Sequence, residues 1–124
     1  MLSQKIKQMI VTATAIAIFV AAGTGRATAH HGWSEYDNKQ TLNLSGKIQQ
    51  VSYDNPHVTI QFESSDKLWT AVLAPPSRMQ RRGLAPTALK VGQTVKLIGY
   101  PHRSESNEMR AEQIIIGKQT VELR

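Results

Sequence analysis

The chain has 124 residues, with 15 lysines and arginines against 9 aspartates and glutamates, a formal net charge of +6 and no cysteine. That length holds one small domain with a modest core. The lack of cysteine excludes disulfides, thiolate metal sites and lipid attachment at cysteine.

Residues 1–29 have the three parts of a secretory signal. Lys5 and Lys7 give a basic start, Met9 to Ala22 is apolar and uncharged, and a small-residue segment ends in Ala27-Thr28-Ala29. The apolar run falls short of the roughly 20 residues that span a bilayer, so cleavage is expected over retention as an anchor. No Arg-Arg pair precedes the run. The general secretory pathway and a periplasmic or secreted location are therefore expected, with no stable membrane insertion after cleavage. Loss of Lys5, Lys7 and Arg26 takes the 15 basic residues to 12 against 9 acidic, a charge of +3. A charge of that size is ordinary surface solvation. Together with export, it sets nucleic acid aside as a partner.

Residues 30–40 (HHGWSEYDNKQ) read as a polar, extended arm leading to a single domain over residues 41–124. Leu42, Leu44, Gly46 and Ile48 alternate with polar neighbours, the period of a half-buried strand. The phase slips at Gln49-Gln50, and Val51 and Tyr53 take over, which predicts a β-bulge. Asp54-Asn55-Pro56 marks a turn. Val58, Ile60 and Phe62 give a second strand, Ser64 to Lys67 a hairpin turn, and Leu68 to Ala74 a third strand stopped by Pro75-Pro76. Ser77 is expected to cap a short helix over Arg78 to Arg82, with Gly83 as its stop. Thr94 to Tyr100 and Met109 to Ile116 are the fourth and fifth strands, and Thr120 to Leu123 extends the sheet. Three strands, a short helix and two strands predict a mainly β fold: a small OB-fold-like, five-stranded Greek-key barrel.

Candidate chemistry centres on His30, His31, His57 and His102. Cleavage before His30 would leave an α-amine, with a pKa near about 8, beside an imidazole near about 6.5, and both can coordinate a metal at neutral pH. Copper(II) favours such nitrogen sets. His57 follows the turn between strands one and two, and His102 lies between strands four and five; in an OB-fold these loops flank one surface. An arm of eleven extended residues reaches up to about 36 Å, enough to run back along the barrel. Met79 and Met109 are expected as core fillers, with copper(I) ligation as the alternative. Glu35, Asp37, Glu108 and Glu112 are expected to be solvated or paired with Arg103 or Arg110.

No nucleophile elbow, zinc-protease helix or glycine-rich phosphate loop is present. The expectation is a non-enzymatic protein binding a copper ion or another transition metal. The alternative is a protein- or ligand-interaction module with Trp33, Tyr36 and Arg78 to Arg82 as contacts and a periplasmic protein partner. Trp33, Tyr36, Trp69 and Tyr100 would supply its stacking surface.

Several motifs occur together: HHGW from His30, NPH at Asn55 to His57, LAPPSRM at Leu73 to Met79, RGL at Arg82 to Leu84, GYP at Gly99 to Pro101 and EMRAE at Glu108 to Glu112. In these the chain resembles the exported bacterial proteins grouped as domain-of-unknown-function family DUF6152. The resemblance implies export and one compact domain, and brings no established activity. His30, His31 and His57 fall inside its motifs, and His102 follows the GYP motif.

Overall fold

In the computed structural model, which describes residues 32–124, every predicted strand is present. Residues 1–29, expected to be a secretory signal, lie outside the described residues, as do His30 and His31. Strand β1 (Leu42–Ser52) does two jobs. Its first half pairs antiparallel with β4 (Thr94–Pro101), and its second half with β2 (Thr59–Ser64). The changeover is made at Lys47, which pairs with both Thr94 and Glu63, and the predicted phase slip follows it. Ile48 pairs with Phe62 and Gln50 with Gln61, leaving Gln49 as the extra residue of a bulge. A bulge bends and twists a strand, which lets β1 serve both halves of a closed barrel.

β2 returns as β3 (Lys67–Val72) through Ser65 and Asp66, at φ 51° and 62°. Two successive left-handed residues make the tight hairpin turn whose twist suits antiparallel strands. β4 pairs with β5 (Glu108–Ile116), and β5 runs parallel to β3 through Thr70–Glu108, Ala71–Met109 and Val72–Arg110. That parallel contact closes a five-stranded barrel in the order β1-β2-β3-β5-β4, with β6 (Gln119–Glu122) added outside β5. This is the OB-like barrel that the order of elements predicts.

A second bulge, not foreseen from the sequence, lies in β5. Ile98 pairs with Gln113 but Gly99 with Ala111, so Glu112 is extra. Its phase slip is hidden because Ile114, Ile115 and Ile116 carry no polar alternation. Gly99 is required at this point: a Cβ there would stand 2.0 Å from the Arg110 carbonyl oxygen.

The helix between β3 and β4, α1 (Pro76–Arg81), starts earlier than expected. Pro75 precedes it and no side chain caps it, so Ser77 lies inside the helix rather than at its cap. Proline is well suited to the first helical position, where its missing N–H removes a donor that would otherwise be orphaned. Gly83, at φ +90°, stops the helix as predicted, and Leu84 N–H closes on the Met79 carbonyl at 2.8 Å. Met79 is fully buried in a core with Ile48, Phe62, Leu97, Met109 and Ile114. Both methionines are thus core fillers.

Trp33–Arg124 form one compact unit. Among the described residues no helix is long and apolar enough to cross a membrane.

Gly99→Ala is expected to destabilise the fold by at least ~2 kcal/mol, because the new methyl group meets backbone that cannot turn aside. Urea denaturation followed by circular dichroism measures it; an unchanged midpoint would contradict the close approach of β4 and β5 at Gly99.

Candidate functional site

From Trp33 onward the expected extended arm is instead folded. Trp33–Glu35 make a 3-10 turn, with Tyr36 N–H bonding the Trp33 carbonyl at 3.0 Å. Asp37 N–H then bonds the Pro101 carbonyl at 2.8 Å, Arg103 N–H bonds the Glu35 carbonyl at 2.9 Å, and Tyr36 bridges to His102. The segment is tied along the β4–β5 connection because its aromatic rings have somewhere to go. Tyr36 is 2% exposed, and its hydroxyl donates to Glu108 Oε2 at 2.5 Å. Burial first, and then the bond to Glu108, push that hydroxyl far above the usual tyrosine range.

Arg110 organises the rest. Met109 and Ala111 point into the core, so strand alternation turns Arg110 outward. It is nevertheless only 4% exposed. Its guanidinium lies 4.4 Å from the centre of the Trp33 ring and 6.0 Å from that of Tyr36. Its Nη2 is 3.3 Å from Nε2 of His57. Arg124 adds a second guanidinium, also 4.4 Å from the Trp33 ring. Trp33 meets Tyr100 edge-on at 6.3 Å, and Glu112 accepts from Tyr100 at 2.7 Å while facing Arg124 Nη1 at 3.3 Å. Burial above all lowers the Arg110 pKa. Tyr36 opposes that shift, and the charges of Arg78 and Arg124 add to it. Arginine nonetheless stays protonated in proteins. Each cation–π contact of this kind contributes ~0.5–2 kcal/mol.

The two described histidines belong to one connected set, running from His57 through Arg110 and Tyr36 to His102. Both rings already have partners. His102 Nδ1 accepts from the N–H groups of Ser104 at 3.1 Å and Glu105 at 3.0 Å, and its Nε2 faces Glu35 Oε1 at 3.5 Å. His57 Nε2 faces an arginine, which can only donate. A neutral imidazole has one lone pair, and coordination of a metal would need it back. Among the described residues, no group of three or more histidines, aspartates or glutamates is placed to hold a metal ion.

A family profile described as "Family of unknown function (DUF6152)" matches residues 16–110. The chain belongs to this family. The matched span takes in all four histidines and Arg110, and ends before Glu112 and Arg124. No curated protein matches the chain. Among solved structures it is similar to the one titled "Crystal structure of the ZRD-deleted mutant of TiaS in complex with agmatine". The two share 19% identity at a TM-score of 0.48, over 71% of this chain and 25% of that one. The DUF6152 chain thus spans about a quarter of that protein's length.

Other residues singled out from the DUF6152 sequence have structural partners. Two carboxylates differ from expectation, since Glu108 bonds Tyr36 and Glu112 bonds Tyr100 and Arg124, while Asp37 accepts from Lys39 N–H and the Gln40 side chain in exposed local contacts. Arg103 Nε donates to the Ser34 carbonyl at 2.9 Å. Arg78 reaches the Leu123 carbonyl at 3.3 Å, and Arg82 those of Glu122 and Arg124, so two arginines of the basic cluster clamp the end of the chain. Trp69 is buried, with Lys67 Nζ 3.9 Å from its ring centre. Sequence reasoning missed Arg110 and Arg124 as organisers. The available signal was an arginine set between Met109 and Ala111, two residues that face the core.

Tyr36→Phe is expected to cost about 1–3 kcal/mol at neutral pH through loss of the Glu108 bond. The raised pKa also sets the sign at high pH. The stabilising difference is complete below the unfolded value near about 10 and is lost as pH rises through the folded value. Wild type should therefore lose more stability than Tyr36→Phe between pH 9 and 11, read by urea denaturation at each pH. Equal slopes would contradict it.

Proposed function

We propose that this DUF6152 protein is exported and serves, without catalysing a reaction, as a small OB-type module that binds a transition-metal ion. Copper(II) is the best chemical match, and a periplasmic protein partner receives or senses the ion. The donors are the new N-terminal amine and imidazole of His30, or the imidazole of His31, together with His57. An amine and imidazole on one residue chelate a single ion, and copper heads the affinity order for nitrogen ligands.

The observation that supports this reading best is the anchoring of Trp33. The tryptophan that follows HHG in sequence is held by Arg110, Arg124 and Tyr100. The same Arg110 touches His57, the histidine of the Asn55-Pro56-His57 turn. His102 is the least suited of the four, since a metal would have to displace two backbone N–H groups from its Nδ1.

Copper(II) titration of protein beginning at His30, followed by calorimetry, tests the reading. Deletion of His30 and His31 should weaken binding at least tenfold, and His57→Ala several-fold, while His102→Gln leaves affinity within about twofold. Unchanged affinity in both the deletion and His57→Ala would sink it. Mass spectrometry of protein recovered from a periplasmic extract should find the chain starting at His30.

A further inference from the structure

His57 and Arg110 make a contact whose chemistry is more restrictive than its length suggests. A guanidinium has five N–H donors and no acceptor. A hydrogen bond across the 3.3 Å between Arg110 Nη2 and His57 Nε2 can therefore have only His57 as its acceptor, which requires the ring proton on Nδ1. That uses the only lone pair a neutral imidazole has. Arg110 is not a casual neighbour. It is 4% exposed and lies 4.4 Å from the centre of the Trp33 ring, and its backbone is locked into the barrel between Val72 of β3 and Tyr100 of β4.

We propose that Arg110 masks His57: it holds the ring in the Nδ1–H tautomer, occupies its lone pair, and yields it to a metal ion only by shifting away from both His57 and Trp33. Two separate effects oppose coordination while the arginine is in place. The lone pair is taken, and the incoming cation would stand beside a buried positive charge. Metal binding at His57 is thereby coupled to the surroundings of Trp33, because one guanidinium serves both. The masking concerns the metal-free protein and stands on the geometry alone. The coupling rests on the reading of His57 as a metal donor given above.

The test uses the processed full chain with two measurements. The first is long-range proton–nitrogen NMR of the metal-free protein. His57 should show the Nδ1–H tautomer, and Arg110→Met should shift it toward Nε2–H. A wild-type ring with its proton on Nε2 overturns the masking, and this arm needs no variant that folds. The second is copper(II) affinity together with tryptophan emission, in a Trp69→Phe background so that the signal belongs to Trp33. Arg110→Met should tighten copper binding at least tenfold when His57 is present and change it less than twofold in His57→Ala. Copper should also shift Trp33 emission in the parent and leave it unshifted in His57→Ala. Equal or weaker binding by Arg110→Met overturns the coupling while leaving the metal reading intact. Equal binding by the parent and His57→Ala removes His57 as a donor and the coupling with it, whichever tautomer the NMR finds.

Discussion

The parallel contact between β3 and β5 is the constraint on which the rest of the structure depends. It consists of three residue pairs, Thr70–Glu108, Ala71–Met109 and Val72–Arg110. Parallel strands cannot be joined by a hairpin, so the intervening chain must supply α1, β4 and the β4–β5 connection before the barrel closes. The closure sends Met109 and Ala111 inward and leaves Arg110 on the outside, level with Tyr100. Because Gly99 lacks a side chain, the Arg110 backbone can approach closely enough for the register to hold. A charged group thus arrives at a fixed place on the barrel wall, and the segment from Trp33 to Tyr36 covers it.

Arginine does much of the non-core holding in this protein. Arg110 and Arg124 meet the Trp33 ring, Arg103 ties the 3-10 turn through the Ser34 carbonyl, and Arg78 with Arg82 gathers the last carbonyls of the chain. The guanidinium suits each task, since it stacks on aromatic faces and offers several donors in one plane. In a chain of this size without cysteine, such contacts fasten the two ends of the folded unit to the barrel where a disulfide would serve elsewhere. They also explain why the basic cluster on α1 is not simply a solvated face.

The histidines show how position and availability differ. The OB arrangement puts the loops bearing His57 and His102 near one another, and Arg110 and Tyr36 connect them. His102 is turned to holding its own loop, with Nδ1 accepting two backbone N–H groups. His57 faces a cation. Counting imidazoles overstates the lone pairs on offer, because each neutral ring has one and a neighbouring donor can take it.

Local chemistry determined a large share of this structure. The alternation from Leu42 to Ile48, its slip at Gln49-Gln50, the prolines after β3 and the glycine after α1 are near-neighbour effects of pleat, bulge and allowed φ, and they were legible residue by residue. The helix start shifted because proline at the first helical turn competes with a serine cap, and sequence order alone does not say which wins. The second bulge was invisible because a run of three isoleucines carries no phase. Residues Trp33 to Tyr36 looked like a polar arm, since the surface that orders them comes from Arg110, Tyr100 and Glu108, distant in sequence and assembled by closure. The state of His57 follows from the same cause: whether an imidazole presents a lone pair or a proton depends on the group opposite it, and only the tertiary structure put Arg110 there.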